Sequence, residues 1–297
     1  MKARTLKKEL MATVAVVVLA AVTNCAFAQA HDQTLPLERW QTLPPTPAPA
    51  HYDHETHIRL RGIDLYTAEV GRGSPVILLH GGLANSDWWA LQVNALRHHH
   101  RVIVVDSRGH GRSTRDATPY SYDLMADDVI ALMDKLHIER ADILGWSDGA
   151  IQALDIAMRH PSRVGKIIAF GANTNTDGSK PDVDTNATFG IFIDRASKEY
   201  TRLSSTPKEY DDFVSQIGKM WETQPNWTDE QLGMILSKVL VLDGDHDEAI
   251  KLSHTEHIAM TIPHARLQIL PDTSHFAFIQ DPQAFNRAIL TFLDDKQ

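Results

Sequence analysis

The sequence predicts an α/β fold: a mostly parallel, twisted sheet that begins with an antiparallel hairpin, carries helices on both faces and receives a helical lid. Three observations predict it. Short, wholly apolar runs recur along the chain with helix-like segments between most of them, the rhythm of parallel strands covered on both sides. More than sixty residues between Gly171 and Lys238 break that rhythm without any buried-strand pattern. One serine stands between two glycines at a strand-to-helix junction, Gly145-Trp146-Ser147-Asp148-Gly149.

Taken in order, the chain opens on Lys2, Arg4, Lys7 and Lys8, then the apolar "MATVAVVVLAAV", then Ala26-Phe27-Ala28. A basic start, an apolar run and an A-x-A site are the order of a secretory signal peptide, here residues 1–28. The apolar run is shorter than the ~20 residues of a comfortable membrane span. A retained anchor or a lipid on Cys25 is the alternative. Cleavage after Ala28 removes the only cysteine, so disulfide and thiol chemistry are excluded from the mature chain. It also removes four basic residues and one acidic one, taking the net charge from −9 to −12. Such an acidic protein is a poor partner for nucleic acid or an anionic membrane. The expected location is periplasmic or secreted, with no stable membrane insertion once the leader is gone.

Residues 29–53 form a polar, Pro-rich arm ending in "LPPTPAPA". The folded domain is expected over 54–297, with the lid insertion at about 175–236. "HIRLRGIDLYTAEVG" alternates and turns at Arg61-Gly62, the pattern of a hairpin. Buried strands are then expected at "PVILLHG", "RVIVVD", "ADILGW", "VGKIIAFG", "KVLVLDG" and "ARLQILP". "SYDLMADDVIALMDKLH" places Leu124, Val129, Leu132, Met133 and Leu136 on one helical face, with Ser121 or Asp123 as its cap. Three amphipathic helices fill the insertion, in "FIDRASKEYTRLS", "KEYDDFVSQIGKMWETQ" and "TDEQLGMIL", and "QAFNRAILTFLDD" closes the chain as another.

The chemistry gathers around Ser147. A sharp turn between strand and helix leaves no room for side chains at 145 and 149, and it lifts the serine oxygen to a helix N-terminus, where developing negative charge is favoured. A hydroxyl is a weak nucleophile and needs a base, which in turn needs an orienting acid. His275 follows the last expected strand and is the candidate base. Asp247 follows the strand before it and is the candidate acid, with Asp245 in the same loop as the alternative; His246 and His264 are poorer bases. The order Ser, Asp, His suits this kind of sheet. Oxyanion donors are expected from the backbone N–H of Asp148 and from Gly82 in His80-Gly81-Gly82, with Leu83 as the alternative. Trp88, Trp89, Trp221 and Phe276 are candidates for an acyl pocket, with Leu83 beside them; about half are expected to touch substrate.

These residues resemble the α/β-hydrolase fold superfamily, from about His54 to the C-terminus: "LLHGG", "DSRGHGRS", "GWSDGA", the helical insertion, "GDHDEAI" and "SHF", in that order. The resemblance implies a nucleophilic Ser147, an acid Asp247, a base His275 and a lid over the cleft. Serine at 147 argues against the haloalkane dehalogenase and epoxide hydrolase branches, which use aspartate. "LGWSDGA" and "FGAN" are locally similar to the branch of valacyclovir hydrolase and related small-ester hydrolases. The proline that follows the oxyanion glycine in that family is missing here. A carboxylate beside the nucleophile would suit a substrate ammonium group; the plainer expectation is that Asp148 acts through its N–H, its side chain solvated or capped. The expected function is hydrolysis of a small carboxylic ester through an acyl-enzyme, without cofactor. A binding protein of the same fold, an acyltransferase, a perhydrolase and a hydrolase of thioesters, amides or carbon–carbon bonds remain alternatives.

Other patterns carry less. "DGDHDE" begins like a calcium loop but lacks the glycine and glutamate that such a loop needs at its sixth and twelfth positions, so no metal site is expected. His98 to His100 are expected at a solvated helix end. His51, His54 and His57 are expected in irregular backbone, and "GRGSP" has no following helix to make a phosphate loop.

Overall fold

The computed structural model describes residues 37–295, so the leader and the first part of the arm lie outside the described residues. Eight strands form one sheet: β1 (His54–Leu60), β2 (Ile63–Val70), β3 (Ser74–Leu79), β4 (His100–Val105), β5 (Ala141–Trp146), β6 (Val164–Phe170), β7 (Val239–Gly244) and β8 (Ala265–Leu270). Their spatial order is β1-β2-β4-β3-β5-β6-β7-β8. β1 and β2 pair antiparallel, β2 pairs antiparallel with β4, and every pair from β4 through β3 to β8 is parallel. The hairpin turns at Arg61 and Gly62, whose φ values are 44° and 86°. Two successive positive φ values match the right-handed twist of the strands on either side.

The apolar runs of β3 to β7 become strands buried on both faces because successive side chains point to opposite sides; β8, expected to be buried, is an edge strand and largely exposed, Leu267 included. Val76 and Leu78 of β3 join one core, and Ile77 and Leu79 join the other. β4 divides the same way, Val102 and Val104 against Ile103 and Val105. Helices cover both cores: α1 (Ala90–Leu96), α2 (Tyr122–Lys135), α3 (Asp148–Arg159), α4 (Ala187–Leu203), α5 (Tyr210–Trp221), α6 (Asp229–Leu232), α7 (Leu252–Thr261), α8 (Ala277–Gln280) and α9 (Pro282–Asp294). Ser121 is the cap of α2, its Oγ accepting the Leu124 N–H at 3.0 Å, while Asp123 lies in the first turn.

The insertion between β6 and β7 holds α4, α5 and the short α6. Phe192, Ala196 and Tyr200 on α4 recur every four residues, and all three are buried. With Phe213, Ile217 and Met220 of α5 they pack into the core that contains Trp88 and Trp146. Each of the large side chains among them contributes roughly 1.5–3 kcal/mol of burial, so these two helices are bound to the body by their apolar faces. None of the helices among the described residues is long and apolar enough to cross a membrane.

Three expectations are corrected here. The described part of the Pro-rich arm holds one 3-10 turn at Arg39–Gln41, is otherwise irregular, and runs along the body, with Leu43 and Ala50 packed on its core. His100 is a buried β4 residue, leaving only His98 and His99 exposed, and His54 and His57 lie on β1. Among the described residues, no cluster of histidines and acids has metal-binding geometry.

Candidate active site

Gly82, Ser147, Asp247 and His275 stand past the C-terminal ends of β3, β5, β7 and β8, where crossovers leave a crevice in open α/β sheets. Ser147 joins β5 to α3 with φ 54° and ψ −120°. That backbone costs a non-glycine residue on the order of 1–3 kcal/mol. Hydrogen bonds hold it: the Ser147 N–H donates to Phe170 O at 2.8 Å, and its carbonyl accepts from Ala150 N (2.8 Å) and Ile151 N (3.0 Å). Both neighbouring glycines are required by close approach. A Cβ at 145 would lie 2.3 Å from Gly149 O, and one at 149 would lie 2.1 Å from Leu79 O.

His275 follows β8 and is buried, and its Nδ1 lies 2.7 Å from Asp247 Oδ2. The other oxygen of Asp247 accepts the N–H groups of Ala249 (2.6 Å) and Ile250 (2.7 Å), which aims the carboxylate. Asp245 instead accepts the Thr273 N–H at 3.2 Å, so of the two acids it is Asp247 that meets the imidazole. His246 stacks on Trp40, and His264 is exposed. Gly171, at φ 60°, makes room for the ring: a Cβ there would be 2.7 Å from His275 Cε1.

Asp247 pairs with this imidazole, and the buried carboxyls of Glu248 and Asp148 also act on its charge, while Asp243 sits behind Asp247. Burial alone would lower the proton affinity of His275; the Asp247 charge and hydrogen bond outweigh it and raise the pKa above its ordinary value. For Asp247 burial opposes ionisation, but the His275 charge and the hydrogen bonds bring its pKa below the usual carboxylate range. Asp243 is fully buried on β7, and burial followed by the Asp247 charge push its pKa far up. Glu248 is raised by burial and then by Asp247, and its Oε2 accepts the His275 N–H at 3.0 Å.

Ser147 and His275 line one cavity of about 440 Å³, shared with Asp148, Tyr122 and Trp221. Asp148 is 5 % exposed and its side chain is capped: it accepts from Tyr122 Oη (2.8 Å) and, through both oxygens, from Trp221 Nε1 (3.0 Å). Burial pushes its pKa up to about 6, against the lowering pull of those two donors. Trp221 comes from α5, so the insertion reaches the residue beside the serine. Asp184 and Glu222 also line the cavity, and among the described residues no lysine or arginine does. A wider depression of about 550 Å³ lies at the opposite strand ends, near Ser74, Asp142 and Lys238, away from Ser147.

The Gly82 loop is braced from behind. Gly81 O accepts the Ala84 N–H at 3.2 Å in a turn that puts buried Leu83 at φ 63°. His80 Nε2 accepts the Ser107 N–H (3.0 Å), which leaves its Nδ1–H to donate to Gly81 O (2.7 Å). Asp106 accepts from Ser86 N (2.7 Å) and Arg112 N (2.8 Å). The "DSRGHGRS" segment is thus a scaffold for this loop. Gly82 faces Trp221 and Asp148, whose atoms would lie 2.4 and 2.6 Å from a Cβ there.

Of the five candidate pocket residues, Trp221 alone lines the cavity, and Trp89 is fully buried away from it. Leu83, Trp88 and Phe276 are buried outside its lining. Trp88 donates to Glu199 Oε2 at 2.8 Å and packs against Trp146, Phe192, Phe276 and Phe278. Aromatic residues near a site are counted easily in a sequence, but their direction depends on the insertion, which pulls these rings into the core. Tyr122, Asp184 and Glu222 were missed for the same reason; only the helix cap beside Tyr122 hints at its place.

His254 on α7 holds the cavity wall. Its Nε2 accepts the Thr174 N–H at 3.0 Å, between Asn173 and Thr176, which line the cavity. Burial, with His257 and Lys251, lowers its pKa to about 4. The folded chain therefore resists a proton that the unfolded chain accepts below about pH 6.5. Stability from this group is present above pH 6.5 and is lost as pH falls toward 4. Thermal unfolding across that window is expected to show a declining midpoint, and His254→Gln, an acceptor that does not titrate, should flatten the decline. An equal slope in the variant would contradict this.

The model of the α/β-hydrolase fold family matches residues 74–203. A putative carbamate hydrolase of Caulobacter sp. is 31 % identical over 243 residues, 73 % of this chain and 90 % of that protein. The serine hydrolase BPHL of Mus musculus is 27 % identical over 253 residues, 80 % of this chain and 85 % of its own length. Among solved structures, a meta-cleavage product hydrolase from Pseudomonas fluorescens superposes with a TM-score of 0.73 at 25 % identity, covering 83 % of this chain and 99 % of that one. The eight-stranded sheet, the turn at Ser147 and these relatives agree: the chain belongs to the α/β-hydrolase fold family and is a hydrolase.

Proposed function

We propose that the chain is an exported serine hydrolase that cleaves a small carboxylic ester through an acyl-enzyme. The observation that carries this reading is the 2.7 Å pair of His275 and Asp247, with that imidazole and Ser147 on the wall of one cavity. Ser147 Oγ attacks the ester carbonyl and His275 takes its proton, while Asp247 holds the ring by its Nδ1–H and stabilises the imidazolium. The oxyanion forms against the N–H groups of Asp148, at the start of α3, and Gly82. His275 returns the proton to the leaving alcohol, then draws a proton from water as that water attacks the acyl-serine. Every step is proton transfer and acyl transfer, and none calls for a metal or cofactor. Helices α4 and α5 act as the lid. Export rests on the order of charge, apolar run and A-x-A site in residues 1–28 and places the protein in the periplasm or outside the cell.

The same parts serve carbamates and carbon–carbon bonds, and relatives are named as a putative carbamate hydrolase and a 2-hydroxy-6-oxononadienedioate hydrolase. Charge favours the ester reading over a dioate, the substrate class in one relative's name. Asp148, Asp184 and Glu222 line the cavity, with no lysine or arginine beside them among the described residues, and a substrate carboxylate would be repelled at close range. A panel of p-nitrophenyl esters of matched length, with neutral, ammonium-bearing and carboxylate-bearing acyl groups, tests this. The carboxylate ester is expected to have kcat/KM lower by about tenfold or more than the neutral one. Faster turnover of the carboxylate ester would overturn the assignment.

A further inference from the structure

The stretch Arg39–Thr46 precedes the region matched by the family model, yet it touches the loops of the acid and base and also the lid. On one side, the Arg39 guanidinium pairs with Asp272 (3.1 Å) and with Asp281. The Trp40 indole stacks on His246, with centroids 4.4 Å apart and planes at 12°. Gln280 Nε2 donates to Thr42 O (2.7 Å) and Ser274 Oγ (3.0 Å), and its Oε1 accepts the Ser274 N–H (2.7 Å). Asp272 and Ser274 belong to the loop that ends in His275, and His246 is the neighbour of Asp247.

On its other side the same stretch binds α4. Thr188 Oγ1 donates to Gln41 O (3.2 Å), the Arg195 guanidinium donates to the carbonyls of Leu43 (3.0 Å) and Pro44, and Thr46 Oγ1 donates to Glu199 Oε1 (2.6 Å). The three α4 residues lie seven and four apart, which places them along one helical face. Glu199 is itself buried, and its second oxygen accepts from Trp88 Nε1 (2.8 Å) and Asn85 Nδ2 (2.7 Å), just past the Gly82 loop. A Pro-rich stretch suits such a task, because its extended backbone leaves carbonyls free for outside donors.

We propose that Arg39–Thr46 is a positioning strap, which ties the lid helix α4 to the two loops that present Asp247 and His275. None of its residues lines the cavity, so it acts through the residues it holds. The proposal goes beyond the assigned reaction but rests on the reading of His275 as the base. Its consequence is that lid placement and base placement are set by one element, and loosening that element disturbs both.

The test uses full-length protein carrying Trp40→Ala, Trp40→Phe or Arg39→Gln, with Ser147→Ala as reference. The readouts are kcat and KM for a neutral p-nitrophenyl ester, the rate of fluorophosphonate labelling and the thermal midpoint. Small misplacements of reacting groups cost on the order of tenfold to a hundredfold. Trp40→Ala is expected to lower kcat and the labelling rate by about tenfold, with KM moving less than kcat. Trp40→Phe should restore most of the loss by keeping a stacked ring, and Arg39→Gln should fall between. Native kcat and labelling in both Trp40→Ala and Arg39→Gln would overturn the strap. So would a loss that Trp40→Phe does not recover, or one that appears only near the melting transition. If Ser147→Ala keeps native turnover, it is the acyl-enzyme reading that falls. A dead Ser147→Ala beside fully active strap variants removes the strap alone.

Discussion

Ser147→Ala is expected to lower kcat on p-nitrophenyl esters by about 10⁴- to 10⁶-fold and to abolish labelling by a fluorophosphonate. The substitution removes only Oγ, from a side chain whose backbone is held by hydrogen bonds to Phe170, Ala150 and Ile151. The fold and the cavity should persist, so the loss will report chemistry. Residual hydrolysis comes from the oxyanion donors and from binding, which the variant retains. The result also separates the alternatives. A protein that merely holds ligand would bind equally in both forms and take up no label. An acyltransferase would be labelled and lose that label in the variant, but would release acyl product to an added alcohol in preference to water. Native turnover in the variant would sink the assignment of Ser147.

Asp247→Asn is expected to cost about 10⁴-fold in kcat and to shift the pH profile. In the native chain Asp247 raises the pKa of His275 above 6.5, so protonation silences the base on the acid side. Activity should therefore climb with pH through a midpoint above 6.5. Without the carboxylate charge, burial is the dominant influence left on the ring, and the midpoint should move down. The amide also presents a donor or an acceptor to Nδ1 and admits the wrong tautomer. A variant with lower kcat and an unmoved acid limb would mean that Asp247 supports structure alone. Asp243 is fully buried on β7, where its Oδ2 accepts from Thr255 Oγ1, so it does not replace Asp247.

Much of this arrangement is legible in the chain because it depends on local rules. The β5–α3 junction is spelled by two glycines around Ser147, and the structure gives each a backbone atom too near for a side chain. Asp247 and His275 could be placed because each follows an apolar run by a few residues, and a parallel sheet brings such positions to one edge. The cap at Ser121 follows the same logic. What stayed hidden depends on contacts between distant segments. Trp221 meets Asp148 only after α5 folds back over the strand ends. Trp88 looks like a pocket residue until Glu199, more than a hundred positions later, takes its N–H. The described arm reads as a linker because proline-rich text carries no periodicity, whereas its partners lie on α4 and α8. Leu83 in a left-handed backbone had no signal at all, since glycine is the residue that such a position prefers.

The unfavourable backbone at Ser147 has a consequence for how such a protein can change over generations. The turn stores energy that the surrounding hydrogen bonds keep from relaxing, and glycine would relieve it while discarding the hydroxyl. With Ser147 as the proposed nucleophile, heat tolerance and turnover are opposed at that single position. A lineage under thermal pressure would have to harden itself elsewhere, at surfaces and connecting segments remote from the junction, while the strained serine passes unaltered from ancestor to descendant.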